Sequence, residues 1–355
     1  MKILFTPFKI GHLTLSNRLC VPAMVRYDRG SGDNTAEGRD VEHYGALAGG
    51  GFGFITVEAS AVATEGRLCE VELGVWDDRF IPGLARIADR IHAEGGRGVL
   101  QLHHAGLLSI GTEPMAPSEY RCTFRDRVFE AREMTKAEIQ QVQELYAQAA
   151  RRAQTAGFDG VELHGCHNYL ISQFLSRSIN RRTDEYGVNP EKFLVEVFEK
   201  VKRAVTGDFI VGIRLGGFEP ELADGIRHAK IAEECGADYI SVSYGFSLEH
   251  SPFKPESYPF LDYIYAAQEI KRNVSVPLLA VNSIVSPEQA EEILALSGVD
   301  GVCIGRGSRI NPNWVNDAMA GRPTGRCLNC PKCYWRLHMP RCPGLEELTR
   351  IKTSQ

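Results

Sequence analysis

Long apolar runs are missing from this sequence. No stretch approaches the ~18 consecutive apolar residues that a membrane-spanning helix needs. The opening MKILFTPFKIGHLTLSNRL has no apolar core followed by a small-residue cleavage site, so no secretory leader is expected either. A cytoplasmic protein is the expectation. Strong charge of one sign is also missing: a net charge of -5 and a pI near 6.1 give no electrostatic case for nucleic acid or an anionic membrane. The basic run from Arg177 to Arg182 is too short to change that. Finally, no Gly-x-Gly-x-x-Gly follows an early strand, which argues against a doubly wound dinucleotide-binding sheet.

What is present is an ordinary globular composition, 43% hydrophobic and 24% charged over 355 residues, enough for one large α/β barrel with an addition. Apolar runs read as strands at Leu19 to Ala23, Phe54 to Val57, Gly98 to Leu102, Gly160 to Leu163, Phe209 to Ile213, Tyr239 to Val242, Val276 to Val281 and Gly301 to Ile304. Helical patterns fill the intervals, at Asp40 to Ala48, Ile81 to Ala93, Lys136 to Ala156, Pro190 to Val205, Gly225 to Cys235, Tyr263 to Lys271 and Pro287 to Leu296. Thr135 with Glu138 offers a capping box, and Gly157, Gly236 and Gly298 stand where helices should stop. Strand and helix alternating eight times is the (β/α)₈ TIM barrel count. The expected division is a barrel over 1–322 and a Cys-rich tail over 323–355.

A barrel of this kind carries its chemistry just past the C-terminal ends of its strands. Those positions hold Ala23, Met24, Val25 and Tyr27; Glu58, Ala59 and Ser60; Gln101, His103 and His104; His164, His167 and Tyr169; Arg214; Asn282 and Ser283; and Gly305, Arg306 and Gly307. The last two sets suit a phosphate, which a Gly-rich turn and an arginine would cradle. A lone histidine is more often a satisfied core residue than a functional one. His-x-x-His-x-Tyr differs, because it gathers neutral donors able to bind a carbonyl oxygen and supply a proton.

His164, His167 and Tyr169, with Gln173-Phe174-Leu175-Ser176 and Asn180-Arg-Arg-Thr-Asp-Glu-Tyr-Gly187, resemble the signature of the old yellow enzyme family, FMN-dependent ene-reductases on a TIM barrel. Phe5 to Phe8, Leu15-x-Asn17-Arg18, Val57 to Val62 and Gln101-Leu102-x-His104-Ala105-Gly106 extend the resemblance over residues 1 to about 320. It implies that Ala23, Met24, Val25, Ala59, Gln101 and Arg214 contact the flavin ring and ribityl regions. By the same likeness Asn282, Ser283, Gly305 and Arg306 hold the FMN phosphate. His164 and His167, with Tyr27 nearby, bind the oxygen of an unsaturated carbonyl or nitro compound, and Tyr169 protonates its α carbon. NAD(P)H is the implied reductant, and a homo-oligomer the expected assembly. The chain departs from the family at Val25, where a hydrogen-bonding Thr or Cys is usual, at Leu107 in place of Arg, and at Ala23-Met24 in place of Pro-Met.

Of ten cysteines, Cys20, Cys69, Cys122, Cys166, Cys235 and Cys303 are scattered and read as reduced packing residues. Cys327, Cys330, Cys333 and Cys342 are clustered, at spacings of a metal-ligand kind. Three close thiols and a remote one followed by Pro343 suit a [4Fe–4S] cluster better than the paired knuckles usual for zinc, with zinc as the alternative. The tail resembles the cluster segment of the 2,4-dienoyl-CoA reductase and 2-enoate reductase branch. That branch adds a C-terminal FAD/NAD(P)H domain, here expected to be lacking, so an external electron-donor protein or FMN itself would feed a cluster. Two other readings are an FMN/iron–sulfur electron-transfer subunit and an amine or ether demethylase of the trimethylamine dehydrogenase type. A metal-dependent aldolase would have only Glu58 and Glu162 as a poor ligand set.

Overall fold

The computed structural model describes residues 2–28, 32–111, 113–124, 127–243, 252–331, 333 and 339–354. Eight parallel strands close into a barrel: β1 (Leu19–Val21), β2 (Phe54–Ala61), β3 (Arg97–His103), β4 (Gly160–Gly165), β5 (Ile210–Gly216), β6 (Ile240–Ser243), β7 (Leu278–Val281) and β8 (Gly301–Cys303). Closure is the pairing of β8 with β1 and of β1 with β2. All eight runs anticipated from the sequence are strands, with ends shifted by a few residues, the range in which hydrogen-bond criteria and apolar pattern part.

Helices cover the barrel: α1 (Gly38–Gly49), α2 (Ile81–Ala93), α3 (Lys136–Thr155), α4 (Lys192–Ala204), α5 (Leu222–Glu234), α6 (Asp262–Lys271), α7 (Pro287–Ser297) and α8 (Trp314–Met319). The capping box forms at α3, where Glu138 N–H donates to Thr135 Oγ1 at 3.2 Å and Thr135 N–H donates to Glu138 Oε2 at 2.8 Å. α7 stops at Gly298, whose φ of +72° is left-handed and costs a glycine nothing. No helix among the described residues is long and apolar enough to cross a membrane.

Alternation along the strands sorts side chains into two cores. Val161, Leu163, Val211, Ile213 and Leu215 pack with the helices. Phe54, Val99, Ile210, Tyr239 and Leu279 fill the barrel interior together with Phe8, Ile10, Leu13 and Leu15. Those last four come from an antiparallel hairpin, Phe8–Ile10 with Leu13–Leu15, which closes one end. A second hairpin, Tyr120–Phe124 with Arg127–Glu133, is inserted after β3. Neither was legible as strand from its short, mixed pattern.

The tail differs from the loop its polarity suggests. Pro343–Thr353 is a helix whose Leu348 is buried and lies beside Gly325. Lys352 Nζ bonds the buried carboxylate of Asp317 at 2.7 Å. The tail is therefore docked on the barrel beside α8, with Leu348 and Gly344 against Gly325 and Ile310 and with the Lys352–Asp317 ion pair.

Candidate active site

The C-terminal ends of the strands open into a cavity of about 270 Å³. The residues expected to hold flavin and substrate line it: Ala23, Met24, Val25 and Tyr27 after β1, Ala59 in β2, Gln101 in β3, His164, His167 and Tyr169 at β4, Arg214 in β5, Asn282 and Ser283 after β7, and Gly305 and Arg306 after β8, whereas Glu58, Ser60, His103 and His104 do not. Parallel register brings them together, for it sets His164 beside Arg214 and Arg214 beside Ser241.

At one end Arg306 Nη2 donates to Ser283 Oγ at 3.2 Å, and Ser283 bonds Asn282 Oδ1 at 3.1 Å. Asn282 and Ser283 have φ of +121° and +51°, a left-handed turn that folds both side chains toward Arg306. The group is a donor-rich cradle for an anion.

At the other end a hydrogen-bonded chain links three strands. Arg214 Nη2 donates to Ser243 Oγ at 2.9 Å, Ser243 Oγ lies 3.1 Å from His167 Nε2, and His167 Nδ1 lies 3.0 Å from His164 Nε2. Arginine has only protons to give. Ser243 can pass its own proton on or accept at both contacts, and the chain ends at His164 Nδ1, a buried atom with no hydrogen-bond partner. Burial, reinforced by His167, His103 and Arg214, holds the His164 imidazole well below its ordinary pKa, so the ring is neutral. His167 sits at φ +62° and Asn168 at +57°, a costly pair of left-handed residues that turns the second ring back onto the first. Tyr169 stands edge-on to His164 with ring centroids 4.8 Å apart.

Arg214 Nη1 also donates to Ala23 O at 3.0 Å, while its Nε is buried without a protein partner. Below it the Gln101 amide donates to Glu162 Oε1 at 2.7 Å. Burial raises the Glu162 carboxyl pKa although Arg214 opposes it. An anion cradle at one end, unpartnered buried donors at the other and an apolar wall between them suit an elongated planar group with a phosphate, as FMN is.

The sequence reading missed Ser243, which joins Arg214 to His167, and Leu68, Ile284 and Val285 in the wall. A serine at the end of β6 was the available signal. Glu58 is placed elsewhere: its oxygens accept from Arg26 N–H at 2.7 Å and Tyr44 O–H at 3.0 Å, a structural role. Cys327 lines the cavity, bringing the tail to the site. The four tail cysteines are half-buried free thiols, and among the described residues no three of them lie within 4.8 Å of one another.

Comparison with known proteins agrees with this geometry. Residues 3–325 match the NADH:flavin oxidoreductase / NADH oxidase family. The chain is 34% identical over 345 residues to an NADH oxidase of Thermoanaerobacter brockii, covering 92% of this chain but spanning only 52% of that longer protein. It is 37% identical over 319 residues to an NADPH dehydrogenase of Geobacillus sp. (strain WCH70), covering 88% of this chain and 92% of the relative. Among solved structures, a 2-naphthoyl-CoA reductase in complex with 2-naphthoyl-CoA superposes with a TM-score of 0.83 at 26% identity, over 90% of this chain and 52% of that one. An old yellow enzyme homologue from Zymomonas mobilis gives 0.78 at 25% identity, over 92% and 95%. Morphinone reductase gives 0.78 at 27% identity, over 94% and 93%. With a closed barrel, a site of this composition and a family match over nearly the whole chain, this protein belongs to the NADH:flavin oxidoreductase / NADH oxidase family, the FMN-dependent flavin oxidoreductases of the old yellow enzyme type.

Proposed function

We propose that this chain reduces activated C=C bonds, in α,β-unsaturated carbonyl or related compounds, with electrons from NAD(P)H. FMN, when bound, supplies the hydride chemistry. Arg306, Ser283, Asn282 and Gly305 would hold its phosphate, and Ala23, Met24, Val25, Ala59, Gln101 and Arg214 its ring system and ribityl chain. His164 and His167 accommodate the carbonyl or nitro oxygen and polarise it. Tyr169 gives its O–H proton to the α carbon; with an ordinary pKa of about 10 a tyrosine is protonated at neutral pH. Tyr27 and Leu68 border the substrate side and help exclude water.

The chain from Arg214 to His164 beside Tyr169 carries this reading over its rivals. A pair of imidazoles serves an oxygen better than the cationic amine of a demethylase, and an electron carrier needs no proton donor. The test is turnover of cyclohexenone and a nitroalkene by FMN-reconstituted protein and its Tyr169→Phe variant. The variant should lose enone turnover while flavin reduction by NAD(P)H continues. Undiminished enone turnover removes Tyr169 as the acid.

For the tail, we propose residues 323–355 as a Cys-rich appendage in which Cys327, Cys330, Cys333 and Cys342 hold a [4Fe–4S] cluster. The position of Cys327 in the cavity wall supports a metal centre near the flavin. Iron and labile sulfide at about four each per chain in anaerobic preparations are expected. One zinc per chain would replace the cluster with a structural clip, and four freely alkylated thiols without metal would overturn both.

A further inference from the structure

Behind Tyr169 lies a pair of ionisable residues that the reaction above does not use. His103, at the end of β3, and Glu72, in the segment after β2, are both fully buried at 0% exposure, with Nδ1 of His103 2.6 Å from Glu72 Oε1. The other Glu72 oxygen accepts from the Leu68 backbone N–H at 2.5 Å. Glu72 Oε1 and His103 Nδ1 share one proton in the short contact. Nε2 of His103 is buried and has no hydrogen-bond partner. The ring centroid is 4.4 Å from that of Tyr169 at an interplanar angle of 88°, and 5.1 Å from that of His164. A pair needed only to tie down the Leu68 segment would have no reason to put an imidazole edge-to-face with the acid.

We propose that Glu72 and His103 are positioning residues for Tyr169. Glu72 fixes the orientation of the His103 ring, as a carboxylate orients an imidazole in other sites. His103 then packs edge-to-face against the phenol and holds it in place for proton transfer to the substrate. One proton moves, from the Tyr169 oxygen to the α carbon; the Glu72–His103 pair keeps its own, and water later reprotonates the phenolate. The inference rests on the role of Tyr169 given above.

Other titratable groups face the pair. His104 comes from the same strand, His164 and His167 from β4, Tyr146 from α3, and Arg214 lies beyond His164. Burial, with His103 beside it, takes His104 down to about 3, and burial keeps His164 neutral as well, so neither places a cation next to Tyr169.

The experiment uses FMN-loaded wild type, His103→Asn, His103→Phe, Glu72→Gln and Tyr169→Phe. Oxidation of the reduced flavin is followed against pH with an enone and, in parallel, with a nitroalkene, whose product can be protonated in solution. Asn retains a donor toward Glu72 and removes the edge that faces Tyr169. His103→Asn and Glu72→Gln should lower the enone-to-nitroalkene rate ratio roughly ten- to hundredfold, the size of a misplaced reacting group. A wild-type ratio in His103→Asn overturns the inference. So does an equal loss with both substrates, which marks a packing role only. If Glu72→Gln or His103→Phe fails to fold, His103→Asn decides alone. Tyr169→Phe separates the two layers: slow there but normal in His103→Asn rejects this pair, whereas enone turnover undiminished in Tyr169→Phe rejects the acid itself.

Discussion

Replacing Arg214 by Gln removes a buried cation at the end of the cavity where we place the flavin ring. The guanidinium holds Ala23 O at 3.0 Å and Ser243 Oγ at 2.9 Å, and its Nε is buried with nothing in the protein to bond. Flavin reduction adds negative charge, and a charge-assisted contact to it is worth ~1.5–3 kcal/mol. In a two-electron couple ~1.4 kcal/mol corresponds to ~30 mV. Loss of the cation should therefore make the FMN potential more negative by about 30–65 mV. The sign follows because only the reduced form gains from the cation. Glu162, whose carboxyl burial raises and Arg214 lowers, should take up a proton more readily in the variant, which limits the cost to folding. Dye-equilibrated potentials of reconstituted wild type and variant measure the shift. A variant that binds FMN normally at an unchanged potential would show that Arg214 does not serve the reduced flavin.

Other outcomes follow from the same geometry. Arg306→Ala should weaken FMN retention by ~1.5–3 kcal/mol, about ten- to hundredfold in Kd, by removing the phosphate's charge-assisted partner; fluorescence titration of apoprotein with FMN reads it. Burial, with Arg227 beside it, takes His228 down to about 4, and burial takes His104 to about 3. Unfolded histidine binds its proton near pH ~6.5, so the stability each neutral ring contributes is full above that pH and is lost as pH falls toward the folded values. At pH 5 the loss is ~2 kcal/mol per histidine, and His228→Gln should flatten the acid limb of the unfolding midpoint against pH. Asp317→Asn should release the C-terminal helix, since the carboxylate binds Lys352 and Arg322 and is 2% exposed; faster hydrogen exchange over residues 343–353, with FMN still bound, is the expected signature.

The barrel itself was legible in the chain. Apolar runs of strand length, helical periods between them, a Thr135–Glu138 box and a glycine at 298 are local signals, and local physics honours them wherever tertiary packing agrees. The His164, His167 and Tyr169 group was legible too, because its members lie within one strand end and one turn. What only the tertiary structure decided is which distant residues complete that group. Ser243 joins Arg214 to His167 because β5 and β6 pair in one register, and a slip by one residue would turn both side chains to the helices. Glu72 meets His103 because the segment after β2 folds across the end of β3, and Glu58, equally acidic and equally buried, is taken up by Arg26 and Tyr44 instead. The N-terminal hairpin plugs the barrel and the last helix docks beside α8 through Lys352 and Leu348. Composition and period describe how a segment partitions between core and water; the partner of a buried charge is set by closure of the sheet, which no single segment contains.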